Sequence, residues 1–232
     1  MKRNYYLDSF RGFTIISMVL FHLAYNINYF RPISWYDGTT LNRIWQITIA
    51  LSFFIISGIT SSHLNSKKNI KRGIKTSLFG FAITLITYVF AKNQLIVWGV
   101  LNGLGLSMII AGLIQRFWKI PPYFAIIFLL IFVGTYNIPR SSLADLKFFD
   151  FLYENNIFIL GFPSSSFIST DYFPIIPWIF AYLAGLSAGN YLKEKNISKG
   201  NDNILARVGR LSMPIYLAHQ IILYPLVSFF LS

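Results

Sequence analysis

The stretch Arg11-Gly12-Phe13-Thr14-Ile15-Ile16-Ser17-Met18-Val19-Leu20-Phe21-His22-Leu23-Ala24-Tyr25-Asn26-Ile27-Asn28-Tyr29-Phe30 is predominantly apolar and follows a basic start, Met1-Lys2-Arg3. A helix of roughly 20 apolar residues crosses the ~30 Å hydrocarbon layer of a bilayer, and this run has that length. No small-residue cleavage site follows it, so it reads as a retained first helix and not as a leader. Working outward, six further runs of the same kind lie at about 44–63, 74–91, 96–115, 121–137, 173–192 and 211–231. None alternates apolar and polar residues as a barrel strand does. The expected fold is therefore all-α: a polytopic transmembrane helical bundle of about seven spans, forming a single membrane domain over residues 1–232.

The composition agrees. The 232 residues are 55% hydrophobic and only 12% charged, where soluble domains carry about a quarter charged residues. Such a chain has room for seven or eight crossings and none for a separate soluble domain. There is no cysteine, which excludes disulfides, thiolate ligands and cysteine nucleophiles, and no metal site is expected.

The net charge of +12 raises nucleic acid as a partner. However, the basic residues sit in short connections between apolar runs, where they set orientation, so membrane lipid and no nucleic acid is the expected surrounding. With the amino terminus cytoplasmic, one side carries Lys2, Arg3, Arg11, Lys67, Lys68, Lys71, Arg72, Lys75, Arg116, Lys119, Lys193, Lys195, Lys199, Arg207 and Arg210, fifteen of the twenty basic residues. The other side carries Arg31, Arg43, Lys92, Arg140 and Lys147, with most of the acidic residues. A multi-pass protein of the cytoplasmic membrane of a bacterium, amino terminus inside, is the expectation. The sequence leaves the oligomeric state open, with a homodimer among the choices.

The longest connection, about 138–172, mixes Asp145, Asp150 and Glu154 with Phe148, Phe149, Phe151 and Phe158, a pattern that suits a short surface-lying helix or a re-entrant segment. The first four spans show no repeat of the last three, which counts against an inverted-repeat transporter.

Ionisable groups inside spans are costly and mark functional candidates. Asp8 and Arg11 stand one helical turn apart, where they can pair at the cytoplasmic boundary. His22 follows Arg11 by eleven residues, about three full turns, so both share a face separated by roughly 16 Å. The last span offers His219, roughly 12 Å in from Leu211 and thus at a depth comparable to His22. Two imidazoles at one level suggest a shared cavity, with Tyr216 on the face of His219 as a partner able to fix its tautomer.

Each feature has a plainer reading. Asp8 and Arg11 also suit a boundary anchor, and either histidine also suits an interhelical hydrogen bond. His63 suits the interface. Asn102-Gly103-Leu104-Gly105 also suits close helix packing, Trp178 an interface anchor beside Pro174 and Pro177, and Asp171 a loop charge or a helix cap.

Several of these segments resemble a known family. Leu7-Asp8-Ser9-Phe10-Arg11-Gly12-Phe13, Met18-Val19-Leu20-Phe21-His22 and Phe53-Phe54-Ile55-Ile56-Ser57-Gly58 look like the opening of the heparan-α-glucosaminide N-acetyltransferase-like membrane domain. Gly99-Val100-Leu101-Asn102-Gly103-Leu104-Gly105, Asp171-Tyr172-Phe173-Pro174-Ile175-Ile176-Pro177-Trp178 and Ser212-Met213-Pro214-Ile215-Tyr216-Leu217-Ala218-His219-Gln220 continue the likeness in the family's order across nearly the whole chain. The Arg11 to His22 spacing also resembles the arginine and histidine motif of the acyltransferase-3 type enzymes. The resemblance implies acetyl-CoA or another acyl-CoA as donor and a sugar or cell-envelope glycan as acceptor on the opposite side of the membrane. By this carry-over Arg11 becomes a donor-handling residue and His22 the catalytic candidate. His219, at the depth of His22, joins it as a catalytic candidate, and Asp8, Asn102, Asp171, Trp178, Tyr216 and Gln220, polar or aromatic positions of the matching segments, join Arg11 as candidates for substrate and donor binding.

One departure stands out. The animal lysosomal enzyme of that family uses a histidine in the loop after its first span, just before a Ser-Trp pair, whereas this chain reads Phe30-Arg31-Pro32-Ile33-Ser34-Trp35. That enzyme also has asparagine at the position of His22. Heparan is accordingly a poor guess for the acceptor. A small transporter or flippase, and a catalytically inactive membrane interaction protein, are the rival readings.

Overall fold

The computed structural model describes residues 4–195 and 200–231. Its helices are α1 (Tyr5–Phe30), α2 (Thr40–Ser62), α3 (Ser66–Phe90), α4 (Val100–Phe117), α5 (Phe124–Thr135), α6 (Lys147–Glu154), α7 (Ile175–Glu194), α8 (Ile204–Arg210) and α9 (Ser212–Leu231). Among the described residues extended pairing is limited to two isolated bridges, Trp98 with Tyr172 and Ile157 with Phe162. The fold is an all-helical, polytopic membrane bundle. Lys2, Arg3 and Lys199 of the charge tally lie outside the described residues.

Among the described residues six helices, α1, α2, α3, α4, α7 and α9, are long and apolar enough to cross a membrane. The remaining apolar run forms α5, whose twelve residues rise about 18 Å. Pro121 and Pro122 precede it and cannot extend the helix backwards, and Pro139 sits in the 3₁₀ turn Ile138–Arg140 that closes it.

Two helices begin well before their apolar runs because asparagines cap them. Asn4 accepts from the Leu7 N–H at 3.2 Å, with Asp8 in the first turn facing the positive end of the α1 dipole. Asn65 accepts from the Lys68 N–H at 2.9 Å, so the basic cluster Lys67 to Lys75 rides on the first turns of α3.

The chain divides into two compact units. The first gathers α1, the part of α2 up to Phe53, α8 and α9. Its core is Ile15, Met18 and Ile49, with Phe21, Trp45, Val208 and Tyr216 packed around it, and the Trp45 indole N–H donates to Ser17 Oγ at 2.9 Å. Here α1 and α8 cross backbone against backbone. A Cβ on Gly12 would lie 2.0 Å from the Leu205 carbonyl oxygen, and one on Gly209 would lie 1.9 Å from that of Asp8. Only glycine permits this approach, the device membrane helices use where apolar side chains gain nothing over lipid.

The second unit runs from Phe54 of α2 to α7. The end of α2 meets α7 through Gly58 and Gly185, and α3 packs along α4 and α5 along α7. Buried polar groups are tied between helices, as lipid demands: Asn69 Nδ2 donates to the Ser61 carbonyl at 3.1 Å, and Gln115 Nε2 donates to the same carbonyl at 3.1 Å. The long connection carries α6, whose Phe149 and Tyr153 pack on Ile138 and Phe162 while Phe148 and Phe151 remain exposed.

Candidate active site

In the first unit α1 delivers Asp8, Arg11 and His22 on one uninterrupted helix. Arg11 Nη1 donates to Asp8 Oδ1 at 3.0 Å, and Asp8 is 5% exposed, so the expected turn-spaced pair forms. The helix continues unbroken to His22, which keeps Arg11 and His22 about 16 Å apart along the axis.

α9 brings His219 against His22, with ring centroids 4.7 Å apart and planes at 56°. The two rings come from opposite ends of the chain, and each has its tautomer fixed by a neighbour. His219 Nδ1 meets the Tyr216 backbone carbonyl at 2.5 Å. A carbonyl only accepts, so the proton sits on Nδ1 and Nε2 is left bare. That Nε2 is buried and has no protein partner. The Tyr216 backbone does the tautomer-fixing that the sequence assigned to its side chain, whose ring centroid lies 5.5 Å from that of His219.

His22 is set the other way. Asn26 Nδ2 donates to Gln220 Oε1 at 2.9 Å, and this turns Gln220 Nε2 toward His22 Nδ1 at 3.3 Å. An amide nitrogen only donates, so Nδ1 of His22 accepts and its proton sits on Nε2. The pair thus presents one bare Nε2 and one Nε2–H. Asn26, 1% exposed, was not singled out from the sequence. Its signal was its position one turn beyond His22 on the same face.

In the second unit, Asp171 Oδ2 accepts from the Val100 N–H at 3.1 Å and so caps the start of α4, not of its neighbour α7. Burial pushes its carboxyl up to about 6, partly opposed by that hydrogen bond. Asn102 is 1% exposed, and neither end of its amide has a partner. It lies over Gly80, where a Cβ would come within 2.4 Å of its Oδ1. Trp178 is buried in an aromatic group with Phe54, Phe132 and Phe173, its centroid distances 4.8–5.3 Å.

The loop after α1, where the histidine is missing, is pinned at its base. Asn28 Oδ1 accepts from the Ile33 N–H and its Nδ2 donates to Asp37 Oδ2, both at 2.8 Å. Tyr36 is buried, its ring 5.8 Å from that of Phe21.

Long apolar helices, with a half-buried pair of imidazoles in contact between the first and the last of them, define a polytopic membrane protein. The profile of the family described as heparan-alpha-glucosaminide N-acetyltransferase, catalytic, matches residues 3–221, and the chain belongs to this family of membrane acetyltransferases. Neither a curated protein nor a solved structure matches the chain.

Proposed function

We propose that the chain moves an acetyl (or other acyl) group from acyl-CoA to a sugar or cell-envelope glycan on the opposite side of the membrane, using His22 and His219 as its acid–base pair. The observation that carries this reading is the contact between the two imidazoles, one with a bare Nε2 and one with an Nε2–H. In the reaction, the acceptor hydroxyl or amine gives its proton to His219 Nε2 as its oxygen or nitrogen bonds to the thioester carbonyl carbon. The His22 Nε2–H is the donor available to the oxyanion that develops there. The C–S bond then breaks, and the coenzyme A thiolate takes the proton back from His219.

Arg11 supplies a forked donor for a phosphate of the coenzyme at the inner surface, with Asp8 holding its orientation. The extended pantetheine arm then reaches along α1 toward His22. The excess of basic residues in alternate connections supports an inner donor side. By the same charge pattern the acceptor enters from the other side of the membrane, the side to which Asp37 and the 138–172 connection are assigned.

The test uses purified protein in nanodiscs with labelled acetyl-CoA and membrane glycan extracts. Wild type transfers label, and His22→Ala and His219→Ala each lower the rate by about a hundredfold or more. Absence of transfer, or transfer unchanged in His22→Ala, overturns the reading. Vectorial movement of a solute without consumption of acyl-CoA would make the chain a transporter.

A further inference from the structure

Resting on the acyl-transfer reading, we infer that Asn26 is a positioning residue for the reaction, acting through Gln220 to hold His22 in its Nε2–H form. An isolated imidazole in an apolar setting has two tautomers of similar energy, so a site that needs a proton on one nitrogen must select it. Gln220 cannot select alone. Its amide turned by half a rotation presents Oε1 to His22 Nδ1 and places the proton there. Here Asn26 Nδ2 donates to Gln220 Oε1 at 2.9 Å and Gln220 Nε2 faces His22 Nδ1 at 3.3 Å. Turning both amides would reverse the tautomer, but it would leave the Asn26 N–H groups buried without an acceptor, and orphaned buried N–H groups are rarer than under-satisfied carbonyls.

Asn26 is almost fully buried, and its own Oδ1 has no partner. The neighbouring His219 is fixed by a backbone carbonyl and needs no such device. Asn26 accordingly sets the difference between the two rings, and the chain Asn26–Gln220–His22 joins α1 to α9 at the level of the pair.

The experiment combines nitrogen-15 histidine NMR in detergent with steady-state kinetics on wild type, Asn26→Leu, Gln220→Met and the double variant. In wild type, His22 is protonated at Nε2 and unprotonated at Nδ1. In Asn26→Leu the Nδ1–H form appears, kcat falls about ten- to a hundredfold, and KM for acetyl-CoA stays within about twofold. Asn26→Leu adds nothing in the Gln220→Met background, because the two act in one chain. A wild-type His22 protonated at Nδ1, an unchanged tautomer in Asn26→Leu, or additive losses in the double variant overturns the inference. The NMR readout needs no turnover. Label transfer with an unchanged tautomer sinks the positioning role alone, while the expected tautomers without any transfer sink the catalytic reading alone.

Discussion

A buried nitrogen without a hydrogen bond costs about 1–3 kcal/mol, and His219 carries one at Nε2. Its natural use is to accept a proton, so His219→Gln, which keeps polarity but cannot shuttle protons, is expected to lower label transfer as far as His219→Ala does. Arg11→Lys keeps the charge beside Asp8 but loses the fork. It is expected to raise KM for acetyl-CoA about tenfold with kcat nearly unchanged, measured in the same assay. Asp171 gives a pH prediction. Its carboxyl titrates near 6 in the folded chain against an ordinary 3.8, so between those values the folded state holds more protons than the unfolded one. Stability from this group falls as pH rises from about 4 to about 6 and is level above that. Asp171→Asn retains an oxygen for the Val100 N–H and removes the ionisation. Thermal unfolding in detergent should find the variant more stable than wild type by about 3 °C or more above pH 6, with the gap closing at pH 4.

At the scale of elements, the crossing of α1 and α8 is the contact least able to yield. Gly12→Ala and Gly209→Ala each drive a methyl into a carbonyl of the other helix, where overpacking costs about 1–3 kcal/mol, and a fall in melting temperature of about 4–10 °C is expected. Gly134 on α5 is the control. Nothing lies within 4 Å of its Cβ position, so Gly134→Ala should be neutral or slightly stabilising, since alanine is the better helix former. The spans themselves were legible because lipid demands long apolar runs. Their starts at Tyr5 and Ser66 were less so, because a cap decides where a helix begins and polar turns lie outside any hydropathy window. Within the site, the Asp8–Arg11 pair was legible since it obeys helix spacing. The likeness in depth of His22 and His219 was also legible from span geometry, but their contact was not. The Asn26–Gln220 bond joins residues 194 positions apart, and no local pattern encodes which amide faces which.

At the scale of the whole molecule, length and charge bear together on whether α5 crosses. Its twelve residues are short for a crossing, yet Ile126, Leu130 and Val133 are exposed, as lipid-facing positions would be, and the 3₁₀ turn extends the apolar segment to Arg140. Charge decides between the alternatives. If α5 crosses, fifteen of the twenty basic residues fall on one side. If it does not, Arg140 and Lys147 join the amino-terminal side while Lys193, Lys195, Lys199, Arg207 and Arg210 leave it, and the split becomes twelve to eight. The positive-inside bias is strong only in the first case. A short span is tolerated where the bilayer thins or flanking residues reach outward, at fractions of a kcal/mol per Å of mismatch. Since the chain has no cysteine, single substitutions report position without background. In inside-out vesicles, an impermeant thiol reagent is expected to label Lys68→Cys and Lys193→Cys and to spare Lys147→Cys. In right-side-out cells the pattern should reverse. Labelling of Lys147→Cys together with Lys68→Cys would mean that α5 turns back within the membrane, and it would place the 138–172 connection on the side of Lys68.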